Sequence, residues 1–401
     1  MNKEIKRIFI VLSLFAFADG FFYNFQQLWL LENNLSVQTI GTILSLGALL
    51  SVSTIFLCSN LIKQSKLKNF VVFLLLIKAL TMIALFCLNS SGLNIIIKFL
   101  IMLDYVLDVE IYVSLYPLIC LVTQDDKIYA KRGIYYSAFY YISVLLTGFL
   151  LGKNILQLYF NYNLYIIISA IFIFLGLFIL LQTDCEKYCN EKNEIKNNEN
   201  IIFALIKKIK NDSISKNFLL FIFFGDICYY SISSLLMIML TQHIGFDPTF
   251  SSNFMLILGI ISVIIANLVL EKFTFKNNYI NISIKFIGRL VTYVIAALFC
   301  SKGAYLLAVI YVKLSAESYS HVTHAPYINR FKGDYQFAFS NLNEIISYLS
   351  RAIGTILCSI LITINVRYVF IAASIFSVLL IFYAFRALKL RNEESVLIND
   401  K

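Results

Sequence analysis

The amino-acid sequence predicts an all-α membrane protein, with twelve transmembrane helices arranged as two pseudo-symmetric six-helix bundles. Three observations carry this prediction: the composition, the length of the apolar runs and the placement of the basic residues. Of the 401 residues, 60% are hydrophobic and only 14% are charged, and the mean hydropathy is +0.80. Charged residues alone make up about a quarter of a soluble domain. The composition therefore excludes a soluble globular protein, a disordered chain and a secreted disulfide scaffold.

The apolar runs are unbroken, and this favours helices over a membrane β-barrel. Stretches such as Tyr165–Leu181 and Leu361–Leu380 lack the alternation of apolar and polar residues that barrel strands require. Lipid cannot satisfy free backbone groups, so each run is expected to form a helix of about 20 residues. The predicted spans, numbered 1 to 12, cover residues 8–31, 39–62, 69–88, 93–122, 133–152, 164–182, 217–242, 250–270, 280–300, 303–326, 336–362 and 366–386.

The basic residues of the loops predict the orientation. Most lysines and arginines fall in the segments on the same side as both termini, whereas the opposite loops hold only Lys153, Lys302 and Arg367. Cytoplasmic loops carry the excess of basic residues in membrane proteins. We therefore expect a multi-pass protein of the cytoplasmic (plasma) membrane with its N- and C-termini in the cytoplasm. The net charge of +10 then faces anionic lipid headgroups and does not indicate nucleic-acid binding.

One long polar connection divides the chain into two halves. The predicted organisation is an N-terminal bundle (1–182), a cytoplasmic linker (183–216), a C-terminal bundle (217–391) and a cytoplasmic tail (392–401). Within the linker, Ile201–Lys210 has apolar residues three or four positions apart, with lysines between them. This pattern suits either a short helix in the membrane interface or a solvated linker.

The two halves contain similar short segments in the same order. Phe17–Tyr23 in span 1 resembles Phe224–Tyr230 in span 7, and both contain an aspartate at the third position. Ser45–Ala48 in span 2 resembles Ile257–Ile260 in span 8. These similarities predict a duplicated six-helix unit.

The chain resembles the major facilitator superfamily over nearly its whole length. Twelve spans, a basic loop after span 6 and the Phe25–Leu31 segment carry the resemblance. The family's loop motif between spans 2 and 3, Gly-x3-Asp-Arg-x-Gly-Arg-Arg, is poorly kept: Asn60–Lys68 retains bases without the glycines or the aspartate. Thr147–Gly152 keeps only part of an exporter motif and suits close helix packing better. The resemblance implies the family fold and secondary transport, without resolving a subfamily.

Acidic residues inside the spans indicate where the function resides. An ionised group within a membrane needs a partner, a wet cavity or a function. The acids predicted within spans are Asp19, Asp104, Asp108, Glu110, Asp226, Glu317 and Glu344. All except Glu344 fall on spans 1, 4, 7 and 10, which the resemblance implies surround a central cavity.

Helical spacing groups these acids with other polar residues. Residues three or four apart share a helix face. Asp104 and Asp108 are one turn apart, so we expect one of them to be protonated, as a proton-coupling site requires. The alternative is a structural acid paired with a base such as Lys78 or Lys98. The other predicted cavity residues lie on spans 1, 7 and 10: Asp19, Tyr23, Gln26, Asp226, Tyr230, Lys313, Glu317 and His321.

Further charged residues are expected to pair across helices. Glu344 and Arg351 on span 11 and Arg289 on span 9 are predicted to neutralise charges, and Arg351 is also suited to bind an anionic group. His321 and His324 with Glu317 are too few ligands for a metal site, so we predict no metal. The sequence has no phosphate-binding loop and no dinucleotide fingerprint, so we predict no cofactor and no enzymatic activity.

The sequence therefore predicts a secondary active transporter of a small molecule, coupled to protons and working by alternating access. The cavity acids outnumber the bases Lys98 and Lys313, which favours a cationic or polar solute, with a slight preference for efflux. A proton-coupled importer of a sugar or similar solute, a non-transporting membrane sensor or scaffold, and a membrane enzyme using His321 and His324 are the alternatives. The expected partners are the substrate, protons and the lipid bilayer, without nucleic acid, and the expected functional form is a monomer.

Overall fold

The structure is a computed structural model in which all regular elements of the described residues are helices. This finding confirms the predicted all-α class. The described residues are 3–61, 66–88, 94–122, 136, 138–144, 146, 163–185, 201–264, 280, 283–316, 327, 330–331 and 334–399.

In the part of the chain that the structure describes, helices lie at the predicted spans. Their bounds are Lys3–Glu32 (span 1), Val37–Leu61 (span 2), Leu67–Leu88 (span 3), Asn94–Val122 (span 4), Asn163–Leu181 (span 6), Ser213–Ser233 with Leu236–Ile238 and a π-helix at Met239–Ile244 (span 7), Pro248–Ile264 (span 8), a π-helix at Ser283–Ile287 followed by Gly288–Phe299 (span 9), Lys302–Ala316 (span 10), Asp334–Ile364 (span 11) and Val366–Asn399 (span 12). The described residues of span 5 (136, 138–144 and 146) are also helical. Span 12 continues through most of the segment predicted as a separate tail.

Several of these helices have the length and apolarity of membrane crossings. Within the described part of the chain, six helices meet this condition, and the bent helix pair of span 7 adds a seventh if it counts as one crossing. Their outward faces are apolar at helical spacing, as Ile171, Leu175 and Phe178 of span 6 illustrate with exposed fractions of 52%, 47% and 61%. A stripe of this kind is stable when lipid covers it.

The chain forms two compact units. The first comprises Met1–Asn197 with Phe246–Ile260, and the second comprises Asn198–Gly245 with Ile261–Lys401. The first unit therefore includes most of span 8.

Glycines allow two close approaches inside the first unit. A β-carbon added at Gly259 of span 8 would overlap the ring of Tyr141 in span 5, and one at Gly47 would press against the ring of Tyr105. Small residues let helices approach closely in membranes, where packing drives association. Gly47 and Gly259 are the glycines of the similar segments in spans 2 and 8.

The two units repeat the same helix neighbours. In the first unit, span 6 packs against spans 1 and 3, and span 3 packs against span 4. In the second unit, span 12 packs against spans 7 and 9, and span 9 packs against span 10. This repeated pattern is the one expected of a duplicated six-helix bundle.

Span 7 bends without a glycine or a proline. Its two helical parts meet at an angle of 40° after Ser233. There, both the backbone N–H and the hydroxyl of Ser234 donate to the carbonyl of Tyr230. A hydroxyl that bonds back to the carbonyl four residues earlier bends a helix. The bend corrects the expectation of one continuous helix over 217–242.

The linker contains the predicted short helix, Ile201–Lys210. It buries Ile202, Leu205 and Ile209 and exposes its lysines. Next to it, Asp212 caps span 7 by accepting from the backbone N–H of Ile214 at 3.1 Å.

Candidate substrate and coupling site

An ion triad lies in the interior of the first unit. Lys78 Nζ of span 3 is 2.7 Å from Asp104 Oδ1 and 2.6 Å from Asp108 Oδ1, both on span 4. The side chains of Lys78 and Asp104 are 1% and 2% exposed, whereas that of Asp108 is 19% exposed. Asp108 is therefore the most exposed member of the triad.

The triad explains how two carboxylates one turn apart are accommodated. One ammonium group compensates one carboxylate, so the triad carries a net charge of −1 when all three groups are ionised. Removing one partner of a buried pair costs about 3–5 kcal/mol. The sequence pointed to Lys78 only as one possible structural partner, and the structure places it between both acids.

Asp19 extends this group of charges. It accepts a hydrogen bond from the hydroxyl of Tyr136 in span 5, and it lies within electrostatic range of Lys78 and Asp108. The ring of Tyr136 contacts that of Tyr112 on span 4, with centroids 5.0 Å apart. We call Asp19, Lys78, Asp104, Asp108 and Tyr136 the first-unit acid network.

The other predicted polar residues of span 1 differ in exposure. Gln26 is buried, at 2% exposed, whereas Tyr23 is half-buried. Tyr23 therefore keeps part of its surface exposed, whereas Gln26 is enclosed by other side chains.

Glu110 lies on a different face of span 4. It follows Asp108 by two residues, which is a rotation of about 200° around the helix. The residue is 3% exposed, and Thr54 and Cys58 of span 2 lie close to its carboxylate. Not every acid of the four spans therefore belongs to one network.

In the second unit, Asp226 occupies a position like that of Asp19. It accepts a hydrogen bond of 2.5 Å from the hydroxyl of Ser347 in span 11. Lys285, Arg289 and Glu344 lie within electrostatic range of it. Asp19 and Asp226 are thus each bonded to a hydroxyl of a helix that holds the same place in its half, span 5 or span 11.

Three cations surround a pair of tyrosines in the second unit. The rings of Tyr229 and Tyr230 meet edge to face, 5.1 Å between centroids. Arg289 Cζ and Lys313 Nζ lie 5.7 Å and 5.9 Å from the centroid of Tyr229, and Arg351 Cζ lies 4.9 Å from that of Tyr230. These distances are in the range of cation–π attraction.

Arg289 has a neutral hydrogen-bond partner. Its Nε donates to the hydroxyl of Ser315 on span 10 at 2.7 Å. The predicted charge-pairing role of Arg289 therefore takes the form of a contact with a hydroxyl and a tyrosine ring, with Asp226 at longer range.

A common spacing of 207 residues relates several polar residues of the two halves. Asp19 and Asp226 are 207 residues apart. Three further pairs have the same spacing: Tyr23 with Tyr230, Lys78 with Lys285, and Glu110 with Glu317. This signal was present in the sequence and extends the predicted duplication from short segments to the charged side chains.

Three predicted or considered residues of span 10 lie outside the described residues: Glu317, His321 and His324. Their roles stay predictions.

Comparison with known proteins places this geometry in a family. The sequence profile of the Major Facilitator Superfamily matches residues 8–320. The chain belongs to this superfamily. No curated protein sequence matches the chain.

Solved structures of the superfamily share the fold at low sequence identity. A mutant of the nucleoside transporter NupG matches with a TM-score of 0.70 and 11% identity, covering 96% of this chain and 100% of that one. The human organic anion transporter MFSD10 (TETRAN) matches with a TM-score of 0.69 and 9% identity, over 96% and 100%. A bacterial homologue of the human lysosomal transporter Spinster matches with a TM-score of 0.65 and 13% identity, over 96% and 98%.

Membership settles the general activity. This superfamily protein is a multi-pass membrane protein and a secondary transporter of a small molecule, and it is not an enzyme. The neighbours transport different solutes, so they leave the subfamily open.

Proposed function

We propose that the protein is a proton-coupled transporter that works by alternating access, with the first-unit acid network as its coupling site. The observation that supports this proposal is the ion triad of Lys78, Asp104 and Asp108, buried in a membrane-spanning bundle. Ionisable groups inside a membrane are costly and mark ion pathways.

The charge balance of the network favours a proton. With all groups ionised, Asp19, Asp104 and Asp108 carry three negative charges against the single positive charge of Lys78. A like charge at close range and burial both disfavour ionisation of a carboxylic acid. One added proton brings the network closer to neutrality without a change of packing.

Asp108 is the position at which we expect the proton to exchange. It contacts Lys78 at 2.6 Å but keeps 19% of its side chain exposed, whereas Asp104 keeps 2%. When Asp108 takes up a proton, Lys78 keeps Asp104 as its counterion. Protonation there therefore leaves a neutral ion pair in the interior.

The other proposed cavity residues come from both halves. Asp226, Tyr230 and Lys313 of the second half are proposed for the solute path, and so is the half-buried Tyr23 of the first half. Glu317 and His321 remain proposed for this path on their sequence positions alone.

The buried bases bear on the charge of the solute. The preference for a cationic or polar solute counted only Lys98 and Lys313 as bases, whereas the interior of the described bundles also holds Lys78, Lys285 and Arg289. With these bases included, six acids face five bases, so the charge count favours a cation only weakly. We retain efflux as the first direction to test, with import of a polar solute such as a sugar as the alternative.

Vesicles with an imposed pH gradient test the proposal. Right-side-out and inside-out vesicles are offered a nucleoside, an organic anion, an organic cation and a sugar, the first two because the named neighbours transport them. We expect one solute class to accumulate with the gradient and to lose accumulation with an uncoupler. No gradient-dependent movement of any solute, in either orientation, would contradict secondary transport by protons.

The variant Asp108→Asn tests the coupling site. It should abolish accumulation driven by the pH gradient while retaining solute exchange at equal pH, because the amide cannot exchange a proton. Asp247→Asn is the matched control, since Asp247 lies outside the acid network and caps span 8 through a bond that an amide oxygen also accepts. If Asp108→Asn accumulates solute as the wild type does, the coupling site lies elsewhere.

A further inference from the structure

The second unit carries an excess of positive charge in its described interior. Its cations there are Lys285, Arg289, Lys313 and Arg351, and its acids are Asp226 and Glu344. This excess holds among the described residues whichever pairs form. The first unit has the opposite balance, with Lys78 as the base beside Asp19, Asp104 and Asp108.

The difference arises at equivalent positions of the duplicated halves. Lys285 is 207 residues after Lys78, so the lysine is kept. The positions 207 residues after Asp104 and Asp108 hold Tyr311 and Ser315. Residues with hydroxyl groups thus occupy the positions in the second half that correspond to the two aspartates in contact with the lysine in the first half.

The hydroxyls bond to other groups of span 9. The hydroxyl of Tyr311 donates to the carbonyl of Ile284 at 2.5 Å, and the hydroxyl of Ser315 accepts from Arg289 Nε at 2.7 Å. A neutral hydroxyl satisfies a donor without cancelling its charge. The replacement converts an ion triad into a site with an excess of positive charge.

The cations differ in access. Lys285 and Arg289 are buried, at 6% and 4% exposed, whereas Lys313 and Arg351 are half-buried. Lys313 lies beside the ring of Tyr229, and Arg351 lies beside that of Tyr230. The two more accessible cations therefore flank the tyrosine pair, with Arg289 in contact with the same pair from span 9.

We propose that Lys313 and Arg351, backed by Arg289 and Lys285, bind the anionic group of the transported solute, an organic anion bearing a carboxylate or a phosphate. The proposal rests on the transport function proposed above and names its substrate class. Arginine presents a planar fork of donors that fits both groups, and lysine adds a point charge. The tyrosine rings offer an apolar surface for the remainder of the solute. An anion entering the site offsets the buried positive charge, which the described side chains leave in excess.

Equilibrium binding to the purified protein in detergent tests the proposal without any gradient. The probes are benzoate with its neutral analogue benzamide, and phenyl phosphate with neutral phenol, all at the same ionic strength. Thermal unfolding reports binding, because a ligand of the folded state raises the midpoint by about 2 °C at ten times its dissociation constant for a chain of this length. We expect benzoate or phenyl phosphate to raise the midpoint of unfolding and the neutral analogues to leave it unchanged. A shift with benzoate indicates a carboxylate site, and a shift with phenyl phosphate indicates a phosphate site.

Variants locate the effect. Arg351→Gln and Lys313→Gln should each reduce the anion-dependent shift by at least half, and Arg351→Lys should retain part of it. Arg367→Gln and Lys302→Gln are matched controls, because both side chains are exposed and neither is among the cations found over the two tyrosine rings. Both variants should keep the full shift.

Two outcomes would overturn the site. One is a wild-type protein that the anions and their neutral analogues stabilise equally, a comparison that requires no variant to fold. The other is an anion-specific shift that survives both Arg351→Gln and Lys313→Gln. Gradient-driven transport without anion binding would contradict the proposed substrate class and leave the proposed function standing. Anion binding without gradient-driven transport would contradict the proposed function and leave the anion site standing.

Discussion

At the scale of single residues, Lys78 is the shared counterion of two carboxylates in the first unit. It is fully buried and contacts two carboxylates at 2.7 Å and 2.6 Å. Its removal would leave both acids without their shared counterion, whereas removal of one acid leaves a balanced pair. A larger effect for the lysine than for one acid is the result expected of an ion triad.

We predict that Lys78→Met lowers the free energy of unfolding by about 3–5 kcal/mol, because it strands buried carboxylates. Asp108→Asn should cost about 1 kcal/mol or less, because Lys78 and Asp104 stay paired. The fluorescence of Trp29, a buried residue of the same unit, follows the thermal unfolding of both variants in detergent. Equal losses in the two variants would contradict the triad.

Some of these residues could be predicted from the sequence and others could not. Asp19, Asp104 and Asp226 stand out because a carboxylate in an apolar run is conspicuous whatever surrounds it. Their partners do not stand out: Tyr136 lies 117 residues from Asp19, and Ser347 lies 121 residues from Asp226. No periodicity within one helix encodes a contact with another helix.

At the scale of the helices, close packing and bending have identifiable local causes. Gly259 admits the ring of Tyr141 against span 8, and Ser234 accompanies a bend of 40° in span 7. The chain has only 15 glycines and 3 prolines. Side-chain hydroxyls therefore bend helices in this chain, in addition to glycine and proline.

We predict that Gly259→Val destabilises the protein by about 1–3 kcal/mol, since the new side chain must displace the Tyr141 ring. Gly303→Val is the matched control, because a β-carbon at Gly303 meets open space. Far-UV circular dichroism during heating measures both midpoints.

A double variant separates this contact from a general effect of valine. Gly259→Val with Tyr141→Ala should lose less stability than the sum of the two single changes, because the clash is absent. Strict additivity would show that the ring and the glycine do not interact.

At the scale of the whole molecule, the superfamily fold and the loop charges together imply an orientation. The basic linker and the loops on its side should face the cytoplasm, and the loop before span 10 should face outward. Lys207 in the linker helix and Lys302 at the start of span 10 are both exposed, so each can report its side of the membrane.

We predict opposite labelling of two cysteine variants in a background from which the eight native cysteines are removed. In intact cells, a membrane-impermeant maleimide should label Lys302→Cys and should label Lys207→Cys only after permeabilisation. The reverse pattern would place both termini outside the cytoplasm.

The sequence by itself determined the positions of the spans, the predicted orientation and the identity of the intramembrane acids. These properties follow from the transfer of each segment between water and lipid, which depends on composition and local order alone. Only the tertiary structure decided which base meets which acid, why span 7 bends, and which groups the hydroxyls of Tyr311 and Ser315 contact. Those features depend on side chains that approach from different helices, and Lys78 with Asp104, or Arg289 with Ser315, become neighbours only once the bundle has packed.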